Sequence, residues 1–93
     1  MDKNEAQGML EGELDLYRKK TYVELVELIG EIFAYEIEAP SGRPYQIEIQ
    51  MRWDLKEGGE IRVLGSVDDG GWRAFFPLTH GFLMNPAGEI IGE

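Results

Sequence analysis

Two adjacent aspartates, Asp68-Asp69, run into Gly70-Gly71 and Trp72. Neighbouring carboxylates beside adaptable backbone could hold a hard cation, with carbonyl oxygens completing its shell. The alternating acids of an EF-hand loop are missing, and adjacent strand residues point to opposite faces. Asp before Gly is also what a two-residue hairpin turn favours. The pair therefore reads first as a folding device and second as a cation site. His80 is the single histidine and could act as a general base if a partner and a pocket position it. Its setting, Thr79-His80-Gly81, reads as a connection between strands. Ser41 and Ser66 are the two serines, and neither lies in a G-x-S-x-G elbow. Gly58-Gly59 and Gly70-Gly71 fit neither a phosphate loop nor a dinucleotide fingerprint. One histidine and no cysteine leave no ordinary zinc ligand set. No catalytic residue, metal ligand or cofactor is assigned.

Three other groupings could bind rather than react. Trp53, Trp72, Tyr45 and Tyr35 belong to an aromatic-rich set of strands. Period-two aromatic stripes usually form core, but a curved sheet could enclose a small-ligand pocket against them. Arg62 and Arg73, with Arg52, share strand faces with Glu48, Asp54 and Glu60. They read as cross-strand ion pairs or, more sharply, as an anion site. Leu64 and Phe75 fall on the face where polar residues are expected, which makes them candidates for a contact surface.

These residues need elements to hold them, and the chain is long enough for one domain. Its 93 residues would bury roughly 60–65% of the surface that the unfolded chain exposes. With 43% hydrophobic and 29% charged residues, the composition is globular. The formal charge of -9 and the lack of a Lys/Arg stripe argue against nucleic acid. The acidity serves solubility, or it recruits a basic partner. Without cysteine there is no disulfide framework. No apolar run is long enough for a bilayer, and the polar, acidic N-terminus is unlike a signal peptide. A cytoplasmic location without membrane contact is the resulting expectation.

Leu10, Leu14 and Tyr17 recur at helical spacing, which predicts a helix over 9–19 after a loose tail, with Gly8 and Gly12 weakening it. Residues 1–20 are thus expected as a helical or partly disordered segment, and 21–93 as a single α+β domain. Thr21-Tyr22-Val23-Glu24 fits a capping box, opening a helix that runs to about Ile29, with Gly30 beyond it. From Glu31 the period changes to two. Phe33, Tyr35 and Ile37 alternate with Ala34, Glu36 and Glu38. Tyr45, Ile47, Ile49, Met51 and Trp53 then share one face of a strand whose other face is polar. Turns are expected at 39–44, 55–59 and Asn85-Pro86-Ala87-Gly88.

Placing Asp69-Gly70 at the two turn positions pairs Val67 with Trp72, Gly65 with Ala74, Val63 with Phe76 and Ile61 with Leu78. Leu64 then faces Phe75, and Ser66 faces Arg73. Short strands at 82–84 and 89–91 follow. The predicted fold is α+β: N-terminal helix or helices packed on a curved antiparallel meander of five to six strands, cystatin-like or roll-like.

The run Gly65-Ser66-Val67-Asp68-Asp69-Gly70-Gly71-Trp72-Arg73-Ala74-Phe75, together with Pro40-Ser41-Gly42-Arg43 upstream, resembles a group of small bacterial domains of unknown function. The resemblance spans roughly residues 22–93. It implies a stand-alone bacterial domain and carries no activity to any residue.

Function remains open among three classes. A non-enzymatic module that binds a protein partner or a second copy of itself, regulatory or immunity-like, fits the size, the acidity and the Leu64–Phe75 pair. A small-ligand binder would use the aromatic concave face. A minor hydrolase or isomerase would need His80 and an acid.

Overall fold

A computed structural model describes residues 1–71 and 77–93 of the chain. Helices α1 (Lys3–Arg18) and α2 (Tyr22–Leu28) come first. The strands are β1 (Ile32–Glu38), β2 (Pro44–Trp53), β3 (Ile61–Asp68), β4 (Leu78–Met84) and β5 (Ile90–Gly92). Among the described residues they form one antiparallel sheet in the order β1-β2-β3-β4-β5. The fold is the predicted α+β class, with helices preceding a meander.

α1 begins six residues earlier than its apolar period suggests. The Asp2 carboxylate caps it by accepting from the Glu5 amide at 3.0 Å. Its buried stripe is Ala6, Leu10, Leu14 and Tyr17. Gly8 and Gly12 lie on the opposite, exposed side, where they touch nothing. The stripe's burial offsets their poor helix propensity. The first twenty residues therefore share the core of the domain. α2 opens with the capping box read from Thr21 and Glu24, both halves of which form. Hydrogen bonding of the Glu24 carboxylate to the Thr21 amide first, and to the Thr21 side chain second, lowers the Glu24 pKa.

The core lies between α1 and one face of the sheet. Tyr45, Ile47, Ile49 and Met51 of β2, Ile61, Val63 and Val67 of β3, and Phe82 and Met84 of β4 are all buried there. Gly65 sits at the centre of that face for a steric reason. A methyl group on it would come 2.8 Å from Leu10 Cδ1, 3.1 Å from Leu14 Cδ2 and 3.2 Å from Ile49 Cδ1. Its bare backbone lets α1 settle close to the strands.

The register of β3 corrects the hairpin expected from the sequence. Val67 pairs with Leu78, Gly65 with His80, Val63 with Phe82 and Ile61 with Met84. Ile61 thus does not face Leu78, and Leu64 faces Gly81 rather than Phe75. Thr79-His80-Gly81 is strand and not a connection. Asp69 and Gly70 follow the end of β3, where the chain bends with Gly70 at a φ of 79°. Trp72, Arg73, Ala74, Phe75 and Phe76, and the strand and pairings expected of them, lie outside the described residues.

Candidate functional site

The reactive-looking residues are held by structural bonds. Asp68 Oδ1 accepts the Gly70 amide at 2.7 Å, and Asp69 Oδ1 accepts the Gly71 amide at 3.2 Å. These are Asx-type turns, in which the side chain stands in for a backbone acceptor. Asp69 also lies 3.7 Å from the N-terminal ammonium of Met1. Among the described residues no three His, Asp or Glu side chains gather as a metal site would need.

His80 projects from β4 on the same face as Phe82, toward α1. Its Nε2 lies 3.2 Å from Glu11 Oε1. Glu11 also pairs with Arg18, whose guanidinium reaches Asp15 and Glu93 and stacks over the Phe82 ring at 5.3 Å. Burial alone would lower the Arg18 pKa, but Asp15, Glu11 and Glu93 together raise it. Ser66 points to the other side of the sheet, and the Ser41 hydroxyl donates to Glu5 at 2.8 Å. His80 therefore sits in a seam of ion pairs joining α1 to β4, away from either serine.

Of the aromatic residues read as a pocket lining, Tyr45, Tyr35 and Trp53 make contacts within the fold, and Trp72 lies outside the described residues. Tyr45 is fully buried, and its hydroxyl donates to Glu5 Oε1 at 2.8 Å. Tyr35 donates to Glu13 Oε1 at 2.6 Å. Both bonds latch α1 to the sheet. Burial first, then the hydrogen bond to a carboxylate, raises the pKa of each tyrosine. Trp53 packs against Tyr22 with ring centroids 6.4 Å apart, and Tyr22 bonds the Gly59 carbonyl at 2.7 Å. Neither described groove is lined by Tyr35, Tyr45 or Trp53. The physical reason is α1, whose leucines occupy the space above Gly65. Glu5 and Glu13 flank the buried stripe of α1, and sequence reading did not single them out as acceptors. Their signal was a carboxylate one position from each apolar contact at Ala6 and Leu14.

The opposite sheet face carries no second layer among the described residues. Its side chains form rungs across the strands, read from the pairing register. One rung is Arg52, Arg62 and Leu83. The next is Ile32, Gln50, Leu64 and Gly81, and then come Ala34, Glu48, Ser66 and Thr79. Glu36, Gln46 and Asp68 follow, with Glu38 beyond. The face is therefore basic at one end and acidic at the other, with Leu64 between them. A groove of about 240 Å³ runs beside Leu64, lined by Glu48, Gln50, Ser66 and Thr79. Gly81 cannot fill it, because any side chain there would run into the Val63 carbonyl.

Arg52 and Arg62 are direct cross-strand neighbours, an arrangement that normally costs stability. Asp54 offsets one of them, with Oδ1 2.7 Å from Arg62 Nε. Arg52 is exposed, and no described residue pairs with it. A second, broader groove of about 500 Å³ lies between Lys19, Lys20 and Val23 on one side and Pro86 and Ala87 on the other. Of the residues picked from sequence for an interface, Leu64 and Arg62 share this outer face, while Phe75 and Arg73 fall outside the described residues. No described helix is long and apolar enough to cross a membrane. Comparison with protein-family models, curated proteins and solved structures gave no match.

Proposed function

We propose that this chain is a non-enzymatic protein-interaction module that engages its partner through the sheet face opposite α1. The observation that carries this reading is the groove beside Leu64, flanked by an arginine rung and an acidic end. Such a face offers an apolar anchor with a polar rim of fixed polarity, which is how specific contacts are organised. Small-molecule sites usually enclose about 300–1,000 Å³. The groove's 240 Å³ and its openness favour a protruding side chain of a protein over a free small ligand. The charge of -9 steers basic partners toward the chain and sets their arrival rate, so an immunity-like or regulatory role against a basic protein is one form of the reading.

Photo-crosslinking tests it. A crosslinking side chain at position 64 should give one adduct of defined mass in cells of the native host. The same group at Val23, exposed on α2, should not. Equal labelling at both sites, or none at 64, removes the outer face from consideration.

A further inference from the structure

Among the described residues the sheet has one long free margin. β1 is a seven-residue edge strand, paired with β2 from Ile32 opposite Gln50 to Glu38 opposite Pro44. Its other edge pairs with no described strand, so alternate amides and carbonyls face outward. Proteins usually blunt such edges with proline, a bulge or very short length. β1 has no proline and no break in register, and only its acids guard it.

The two rows of β1 side chains differ in what they ask of a neighbour. Phe33, Tyr35 and Ile37 point to the α1 side and stay only partly buried, at the margin of the core. Glu36 and Glu38 lie on the outer face, opposite Gln46 and Pro44 of β2, and Glu48 stands on the same face opposite Ala34. Glu36 is fixed by the Gln46 amide at 2.7 Å. A strand added at this edge would set apolar side chains beside the first row and cations beside the second.

We propose that β1 accepts an extended basic segment of a protein partner as a sixth, antiparallel strand. The proposal rests on the protein-interaction reading and gives the partner its chemistry: apolar residues alternating with lysine or arginine, the cations opposite Glu36 and Glu38. Backbone hydrogen bonds supply the contact and alternate side chains supply the selectivity, as in strand addition generally. A second copy of this chain is the poorer occupant. It would bring its own Glu36 and Glu38 to the same edge, and each copy carries a charge of -9.

The heptapeptide Lys-Val-Lys-Val-Thr-Val-Val, capped at both ends, matches the edge when antiparallel. Its lysines fall opposite Glu38 and Glu36, and its threonine opposite Ala34. Titrated into the full chain, it should shift the NMR amide resonances of Ile32 to Glu38 and protect them from hydrogen exchange. The peptide with both lysines replaced by glutamate should bind about tenfold more weakly or worse, since two attractive cross-strand pairs become repulsive. The preference should invert in a Glu36→Lys/Glu38→Lys chain. If that variant misfolds, Glu38→Lys alone, at an exposed residue, should still narrow it.

Equal binding of both peptides overturns the proposal. So does a dimer in sedimentation that protects the β1 amides, because the edge is then taken by a second copy. Peptide shifts confined to the surroundings of Leu64 and Arg52 overturn it as well, while leaving the outer-face reading standing. Failure of crosslinking at position 64 with intact β1 binding separates the two in the other direction.

Discussion

Gly65 and Ser66 are neighbours on β3, yet they answer to different constraints. Gly65 meets two leucines of α1 and an isoleucine of β2, and any side chain there competes with them for space. Ser66 lines an open groove, and no described protein atom bonds its hydroxyl. The same division holds along all of β3, where Ile61, Val63 and Val67 are buried and Arg62, Leu64 and Ser66 are partly exposed. One face is set by packing against α1. The other keeps features that packing does not explain: paired arginines, a leucine among polar residues, and opposite charge at its two ends. In a fold this small, the surface that stability leaves free is where function can be looked for.

The sharpest way to break that comparison is to place the same side chain on both faces. Gly65→Val forces its methyls against Leu10, Leu14 and Ile49 and should cost about 1–3 kcal/mol, with α1 displaced. Ser66→Val should change stability by less than about 0.5 kcal/mol, as surface substitutions do. Urea unfolding of both variants decides it. Equal effects would mean that the outer face is also under packing constraint.

The helix-side face should also respond to alkali. Tyr35, Tyr45 and Tyr17 all have raised pKa values, in each case through burial first and then a neighbouring carboxylate: Glu13 for Tyr35 and Tyr17, Glu5 for Tyr45. Folding thus favours the neutral phenols. Their contribution is complete below the ordinary tyrosine value near 10 and is lost as pH rises through the higher folded values. Stability should therefore fall above about pH 10. Tyr35→Phe removes the bond to Glu13 and should cost about 1 kcal/mol at neutral pH, while flattening the alkaline decline. Thermal melts between pH 8 and 11 test both parts. An unchanged slope in the variant would mean that this latch does not govern the decline.

The fold class was legible because its strongest signals are local. Thr21 and Glu24 announce a cap, the alternation from Tyr45 to Trp53 announces a one-sided strand, and Asn85 to Gly88 announces a turn. The partner of β3 was not legible for a definite reason. Ile61 was expected opposite Leu78 and lies opposite Met84, a slip of six residues. An even slip keeps each of these side chains on its own face, so apolar alternation cannot detect it. The start of α1 was hidden by Gly8 and Gly12, whose low propensity is overridden by contacts far along the chain. Of the candidate site, Leu64 could be placed on the outer face from its parity alone. The opposition of Arg52 and Arg62 depends on the register of the β2–β3 hairpin, set by the conformation of its connecting residues 54–60, which apolar alternation does not encode.

That arginine rung gives the smallest expected effect and the most pointed one. If the outer face were shaped by stability, its cross-strand neighbours would be complementary. Arg52→Glu turns a like-charge pair into an opposite-charge pair beside Arg62, worth about 0.2–1 kcal/mol. The added negative charge opposes this through the rest of an already acidic chain, but screening over roughly 8 Å at physiological salt confines that term to near neighbours. The variant should therefore be more stable than the native chain, with an unchanged dependence on urea concentration. A native residue whose replacement improves the fold is kept for something other than the fold, and Arg52 then belongs to the contact made by the outer face. A loss of stability in Arg52→Glu would instead place the rung among the fold's own supports, and the difference between the two faces of β3 would shrink to Leu64 and its groove.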